Sequence, residues 1–500
     1  MSPDRRDFIK FVVAGAVASG CPIDQTLLAS PTETAPQVEG EENTICHQVR
    51  DGHTFTPPPV SKRHDVIIVG GGNSGLTAAH LLQHRDCLIL EKEPHWGGNA
   101  YIMEYDGMPF STATAYTEAE VVDWLVKEIG MEKLPIANWD GTIVKGEFVP
   151  DTWGDGLDHL PYPEAVRESF KRFRKEMLAI NTESRLAELD NKPFSDFMKG
   201  YPPELQQWWD GFGPSNWGAR SDETSAALGI QALQFAAAEN RVDNRHTWPG
   251  GLGAISKRYV ELLKPKMGDR MISGATIISV SEQKHEAHVT YMRNGMLHTV
   301  AAKAIIMATP KFITRRIVQG LPQKQQDAMG QMRYQPYPVV NLIFDQPVFN
   351  KGYDNWCPGN RFTDFIVADW VVRNKPGYKQ KHNILTCYTP LQEHERHLLL
   401  TEPGAQKIAA EVLRDFQKLF PGSDVNPKEV HIYRRGHPLY MSTPGLYTQV
   451  QPLVRQPMER IFFANTDSEG PESTTAMAIQ SAQRTVKQAE ARLAGKPIVA

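Results

Sequence analysis

The chain has 500 residues, of which 41% are hydrophobic and 22% charged, and its formal net charge is −4. That length exceeds what one hydrophobic core usually supports, so two domains are expected, and the composition is that of an ordinary globular protein. No basic excess exists to neutralise phosphates, which argues against nucleic acid as the main partner.

The chain begins with Asp4-Arg5-Arg6-Asp7-Phe8-Ile9-Lys10, followed by the apolar run 11–18. Paired arginines ahead of a short apolar run read as a twin-arginine export signal, and the run is too short to span a bilayer as a helix. Residues 1–30 are therefore assigned to a signal peptide, with cleavage near Leu28-Ala29-Ser30 as one option and lipidation of Cys21 as the other. A periplasmic location follows from that route, with membrane attachment only if Cys21 carries lipid. Residues 31–62 are polar, end in Pro57-Pro58-Pro59, and read as a tether.

A β-α-β unit comes next: a buried strand over 65–69, a glycine turn, helical character over 76–83, and a second strand, Cys87–Leu90. The stretch from about 118 to 245 is mostly helical and rich in tryptophan. Residues 275–281, 287–292, 304–307, 337–344 and 383–389 read as strands, 406–420 as an amphipathic helix, and Thr475–Leu493 as the last helix. Cys46, Cys87, Cys357 and Cys387 form no Cys-x-x-Cys pair, and Cys87 reads as a packed core thiol.

The turn in that β-α-β unit is Gly70-x-Gly72-x-x-Gly75, with Asn73 and Ser74 at the head of the helix. Gly70 permits the tight turn, Gly72 lets backbone approach a pyrophosphate, and Gly75 lets helix and strand pack closely. Glu91 ends the second strand, where a carboxylate accepts hydrogen bonds from a ribose diol. NAD and FAD share this fingerprint.

The residues just after Glu91 separate the two cofactors. Glu91-Lys92-Glu93-Pro94-His95-Trp96-Gly97-Gly98-Asn99 resembles the Glu-x5-Gly-Gly stretch of the flavin amine oxidase and phytoene desaturase superfamily. The resemblance implies FAD, with Gly97 and Gly98 presenting amides to its pyrophosphate and Lys92 beside them. Asn99 stands where the family usually has arginine. The segment from Gly107 to Tyr116 resembles the family's loop beneath the isoalloxazine, which places Thr114 and Ala115 against the ring. Trp248-Pro249-Gly250-Gly251 resembles the Gly-Gly segment that re-enters the FAD domain, and Ile277 falls where a strand residue touches the adenine. Residues 304–310 resemble the strand ending in Ala-x-Pro near the flavin. The run from Ile461 to Asp467 and the helix after it resemble the closing motif. That motif assigns Asp467 to the ribityl chain or pyrophosphate, and Thr475 and Met477 to the flavin edge. The family's glycines in the closing helix are absent here.

The implied fold is α/β. A doubly wound, Rossmann-like FAD-binding domain is built from 63–135, 246–320 and 456–500. A discontinuous α+β substrate domain of the amine oxidase type is built from 136–245 and 321–455. Two short fragments, Cys46 to Gly52 and Ala464-Asn465-Thr466-Asp467-Ser468, resemble spermidine dehydrogenase-like members. That likeness implies a non-covalent haem as a minority option, with His47 as the ligand to test.

The expected function is that of an exported FAD-dependent oxidoreductase. It would oxidise a small-molecule amine, polyamines included, and pass electrons to oxygen or a periplasmic acceptor. His437 and Tyr440, just before the closing motif, are candidates facing the substrate. Asn341 falls where many amine oxidases carry a lysine that helps oxygen react, which suggests a dehydrogenase. Trp208, Trp209 and Trp217 read as core. Asp222, Glu223, Glu239 and Asp243 read mostly as solvated charges, with a polyamine tail as the other reading. No metal site is expected: His285-x-x-His288 has the wrong spacing for a zinc helix, and 393–397 reads as a charged surface helix. Two rival functions remain open: a carbon–carbon desaturase or isomerase acting on a lipid or isoprenoid, and a flavin-binding redox protein without turnover.

Overall fold

The structure is a computed structural model that describes residues 35–239, 241–421 and 425–498. The twin-arginine segment, both processing options and Cys21 lie outside the described residues. No helix among the described residues is long and apolar enough to cross a membrane.

Val66, Ile67, Ile68 and Val69 are fully buried, as a parallel strand covered on both faces requires. Their strand, Val60–Val69, pairs in parallel with Cys87–Leu90 on one side and Met296–Met307 on the other. Met271–Ile272 extends the sheet beyond Cys87–Leu90, and Ile461–Phe463 joins Met296–Met307, again in parallel. Segments from both ends of the chain thus meet in one sheet. Side chains alternate across it. Val66, Ile68, Ile89, Ile306 and Phe462 share a core with residues of the helices Asn73–Leu81, Gly253–Met267 and Thr475–Leu493. Ile67, Val69, Leu88, Ile305 and Phe463 share another with the antiparallel meander of Thr276–Glu282 and Ala287–Arg293. The strand expected over 304–307 begins earlier, at Met296, because its more polar first half pairs with that meander.

A second sheet has eight strands. Their order is Gln37–Gly40, Glu429–Arg434, Val339–Phe344, Asn383–Tyr388, Asp364–Val367, Asp354–Trp356, Gly141–Val144 and Glu147–Val149. The helix Glu402–Leu419 buries Ile408, Val412 and Phe416 against Val340, Leu342, Phe344 and Leu385 on one face. The other face carries Val339, Ile366 and Tyr388 and packs on Ala115 and Tyr116. The helical region gathers around Trp153, Trp208, Trp209 and Trp217, which are core residues. Asp243 pairs with Arg245, and Glu223 with Arg333.

The expected tether needs correction. Gln37–Gly40 is the edge strand of the second sheet, in parallel register with His431 to Arg434, and Thr44–Arg50 is a helix. Val38 packs on the core beneath helix Glu402–Leu419, and Val49 on the meander side of the first sheet. One apolar residue per element holds each in place, too few to stand out from a polar, proline-rich composition.

Candidate functional site

The glycine turn is closed by its own backbone. Gly70, at φ 109°, donates its N–H to the Leu90 carbonyl at 2.8 Å. A Cβ on Gly75 would run into the Gly70 carbonyl, so the helix can start this close to the strand only on glycine. Gly72 differs. A Cβ there would meet nothing nearer than Gly97 O and Gly98 Cα, both at 3.9 Å. The Gly97 N–H donates to the Gly71 carbonyl at 2.9 Å, and Gly72 and Gly97 form a parallel bridge. The two glycine segments therefore make one backbone cradle. No side chain caps the helix that begins there, which leaves its first N–H groups for an anion.

Glu91 organises the cradle. Its Oε2 accepts the Gly71 N–H at 2.6 Å and its Oε1 accepts the Glu93 N–H at 2.7 Å. Burial raises its pKa. Each carboxylate oxygen has a second lone pair with which to meet a ribose hydroxyl. Behind the turn, Ser256 Oγ donates to Asn73 Oδ1 at 2.6 Å. Ser74 Oγ lies 3.0 Å from Ser481 Oγ and accepts the Asn465 N–H at 3.2 Å. These bonds lock the three helices of the first sheet together.

Three expected cofactor contacts fall elsewhere. Lys92 Nζ pairs with Glu93 and donates to the Glu42 carbonyl at 2.8 Å, so it fastens the N-terminal segment. Asn99 Nδ2 donates to the Pro438 carbonyl at 2.7 Å. The segment that borders Glu91 contains Ile272 and Ala275, bonded to its backbone at 2.9 and 2.8 Å, whereas Ile277 lies in the next strand, paired with Tyr291.

Asp467 also takes a different role. Lys311 Nζ donates to its Oδ1 at 2.7 Å, and the Lys311 N–H and Tyr334 hydroxyl donate to its Oδ2 at 2.8 and 2.7 Å. Lys311 Nζ also reaches the Ala464 carbonyl at 2.7 Å. The two side chains are 0% and 2% exposed. Burial lowers the Lys311 pKa, and Asp467 pulls it back up. The Asp467 carboxylate therefore anchors the closing segment instead of turning to the cofactor. Sequence reasoning missed Lys311; the one signal was a lysine placed directly behind an apolar strand and a proline. Further on, Thr475 is buried at the start of the last helix, and the Thr474 hydroxyl accepts the Met477 N–H at 3.2 Å. The Met477 thioether fills the place where Gly470 lacks a Cβ, so that side chain is packing.

The loop from Ser111 to Tyr116 is held from both sides. Thr247 Oγ1 and the Tyr353 hydroxyl donate to the Ala115 carbonyl at 2.6 and 2.9 Å. A Cβ on Gly251 would lie 2.5 Å from the Thr114 carbonyl, so the Gly-Gly segment presses directly on the loop. The Thr114 hydroxyl is buried and has no partner among the described residues. Arg245 supports Tyr116 from below, 4.9 Å from the ring centroid, and is neutralised by Asp140 and Asp243. Above the loop, Tyr337, Tyr353, Tyr388, Tyr116 and Trp370 form an aromatic layer on the second sheet. The Asp364 carboxyl reaches it through Ser215, whose Oγ donates to Asp364 Oδ1 at 2.8 Å and lies 2.7 Å from the Tyr337 hydroxyl. Glu472 is pushed up to about 8 by burial and the charge of Glu118, against the pull of the Trp217 indole. Burial raises Glu118 as well.

Asn341 lies on the same inward face as Val339. Its Oδ1 accepts from Thr386 Oγ1 at 2.7 Å, and its Nδ2 is buried without a partner among the described residues. His437 packs on Phe312, centroids 4.7 Å apart. Burial, with the charges of Arg396, His47, Arg316 and Arg50, pushes it down to about 4, so it is neutral at pH 7. Tyr440 belongs to the core beside Tyr334 and donates its hydroxyl to the Gly470 carbonyl at 3.3 Å, which makes it a packing residue and not a wall of the substrate site. His47 is half-buried in helix Thr44–Arg50, and among the described residues no group of three His, Cys, Asp or Glu is arranged for a metal.

An open backbone cradle, a bare helix N-terminus, a carboxylate beside it and an orphaned hydroxyl on the adjoining loop fit a dinucleotide that carries a flat ring. Fold and site together define a nucleotide-dependent oxidoreductase of two-sheet build. Likeness to known proteins narrows this further. The family model for flavin containing amine oxidoreductases matches residues 73–489, and the chain belongs to that family. It is 23% identical to Oxidoreductase PigB of Serratia sp. across 82% of this chain and 73% of that protein. It is likewise 23% identical to human flavin-containing amine oxidase B across 82% of each. Putrescine oxidase bound to putrescine superimposes with a TM-score of 0.67 at 17% identity, over 86% of this chain and 99% of that one. Cyclohexylamine oxidase from Brevibacterium oxydans gives 0.65 at 17%, with the same coverage. Those two likenesses show the fold. The protein is an FAD-dependent oxidoreductase with the α/β architecture of its family.

Replacing Lys311 by methionine leaves the Asp467 charge buried and unpaired. The expected cost is about 3–5 kcal/mol of unfolding free energy, read by urea denaturation of the FAD-loaded protein. A loss under about 1 kcal/mol, the scale of a surface pair, would mean that this pair does not anchor the closing segment.

Proposed function

We propose that the protein oxidises an amine, with diamines and polyamines as the first class to test. The observation that carries this reading is the aromatic layer facing the Ala115–Tyr116 loop, with the Asp364 carboxyl close to it through Ser215. Such a slot suits an amine, whereas a lipid or isoprenoid substrate calls for an apolar tunnel without carboxylates. The Gly70-Gly72-Gly75 turn, Gly97-Gly98 and Glu91 would hold FAD, and the loop through Thr114 and Ala115 would support its ring. When bound, FAD accepts the hydride from the carbon beside nitrogen, leaving an iminium for water to hydrolyse.

The residues do the remaining work. Tyr337, Tyr353 and Tyr388 exclude water and orient the substrate. The amine must react neutral, so an arriving ammonium has to lose a proton. Asn341 supplies an amide where relatives place a cation, which supports oxygen being a poor electron acceptor and a carrier taking its place.

Anaerobic mixing with a panel of amines is expected to bleach the flavin absorbance, and air is expected to restore it slowly. No bleaching with any amine would overturn the amine reading, and rapid reoxidation by air would overturn the dehydrogenase reading.

We also infer export by the twin-arginine route, on the sequence of Arg5-Arg6 and the apolar run behind them. A cofactor-dependent enzyme suits a pathway that carries folded proteins. Changing both arginines to lysine is expected to hold the protein in the cytoplasm of a host with that pathway, as read by cell fractionation. Equal periplasmic recovery would refute this.

A further inference from the structure

Asn99, directly after Gly97-Gly98, turns its side chain onto the Pro438 carbonyl. Three residues before Pro438 stands Arg435, directly after the strand Glu429–Arg434 of the second sheet. Its side chain is 2% exposed. One terminal nitrogen donates to the Thr112 carbonyl and the other to Thr112 Oγ1 at 2.8 Å. The guanidinium lies 4.1 Å from the centroid of the Tyr433 ring.

Those contacts occupy two of the five N–H groups of an arginine. They bring no counter-charge, for among the described residues no carboxylate pairs with Arg435. The other deeply buried cations differ. Arg245 has Asp140 and Asp243, and Lys311 has Asp467. A buried cation without an anion is costly, and removing a partner from such a group is strongly destabilising. Burial accordingly lowers the Arg435 pKa, with Tyr433, Glu41 and Glu93 offsetting it in part. The place is short of one negative charge.

Its surroundings indicate which charge. Thr112 lies in the Ser111–Tyr116 loop, and Asn99 directly follows Gly97-Gly98, the wall of the cradle that faces Gly72. Arg435 reaches from the second sheet to the junction of loop and cradle. We propose that Arg435 is the counter-ion of the FAD pyrophosphate. This rests on FAD being the cofactor. It also makes FAD uptake depend on the second sheet as well as the first, so loading fastens the two together.

The test uses full-length apoprotein and flavin-fluorescence titration. Arg435→Met keeps most of the side-chain packing and removes the charge. FAD affinity is expected to fall about ten- to a hundredfold, as loss of a charged hydrogen bond predicts, and Arg435→Lys should recover part of it. Inorganic pyrophosphate is expected to compete with FAD in the wild type and far less in Arg435→Met. The thermal midpoint of the apoprotein should not fall, since the variant removes an unpaired buried charge. Equal FAD affinity in wild type and Arg435→Met would overturn the proposal. So would a lowered apoprotein midpoint with unchanged FAD affinity, which is the mark of a merely structural arginine. A wild-type apoprotein that takes up no FAD would instead overturn the cofactor assignment beneath it.

Discussion

The rest of the molecule depends on one buried ion pair. Lys311 comes after the central strand Met296–Met307, Asp467 after the last strand Ile461–Phe463, and Tyr334 from the segment that leads into the second sheet. All three meet at one carboxylate, with every strong bond satisfied inside the protein. A pair this deep gains little net energy over an apolar substitute, but its geometry is exacting. It fixes where the closing segment leaves the first sheet and hence where the N-terminus of helix Thr475–Leu493 points. Ser481 on that helix then reaches Ser74 in the nucleotide turn, so the two ends of the chain share one cofactor site.

The loop from Ser111 to Tyr116 occupies the complementary position between the sheets. Its Ala115 carbonyl is claimed by both Thr247 and Tyr353, its aromatic end rests on Arg245, and its Thr112 holds Arg435. Groups from the helical region, the second sheet and the Gly-Gly segment all converge on a few residues of backbone. A loop held this way is preorganised, which is what positioning a flat ring against a substrate requires. Burial raises the pKa of Glu118, two residues beyond the loop.

The fold was largely legible in advance. The buried strand, the glycine turn, Cys87–Leu90 and Thr475–Leu493 have local signatures: unbroken apolar runs, fixed glycine spacing, and period-four apolar positions. The cradle was legible for the same reason. Gly70, Gly75 and Gly97 record close backbone approaches that no other residue permits, and Gly72 leaves open the space in front of the cradle. Side-chain partners were less legible. Lys92, Asn99 and Asp467 were expected at the cofactor, yet here each bonds to protein. Tyr440 sits before the closing motif as expected and still turns into the core. The N-terminal segment was hidden because each of its elements contributes only one anchoring apolar side chain.

The amino-acid sequence by itself determined the dinucleotide turn and the runs that became its strands, since those depend on backbone geometry that is written locally, while FAD and the α/β architecture came from the resemblance to the flavin amine oxidase superfamily. Only the tertiary structure decided which charges are free. Lys311 finds Asp467 across 156 residues, Arg245 finds Asp140 across 105, and Arg435 finds no carboxylate among the described residues. Electrostatic pairing is a property of distance in space and of the low dielectric around the pair. Neither has a period or a spacing along the chain.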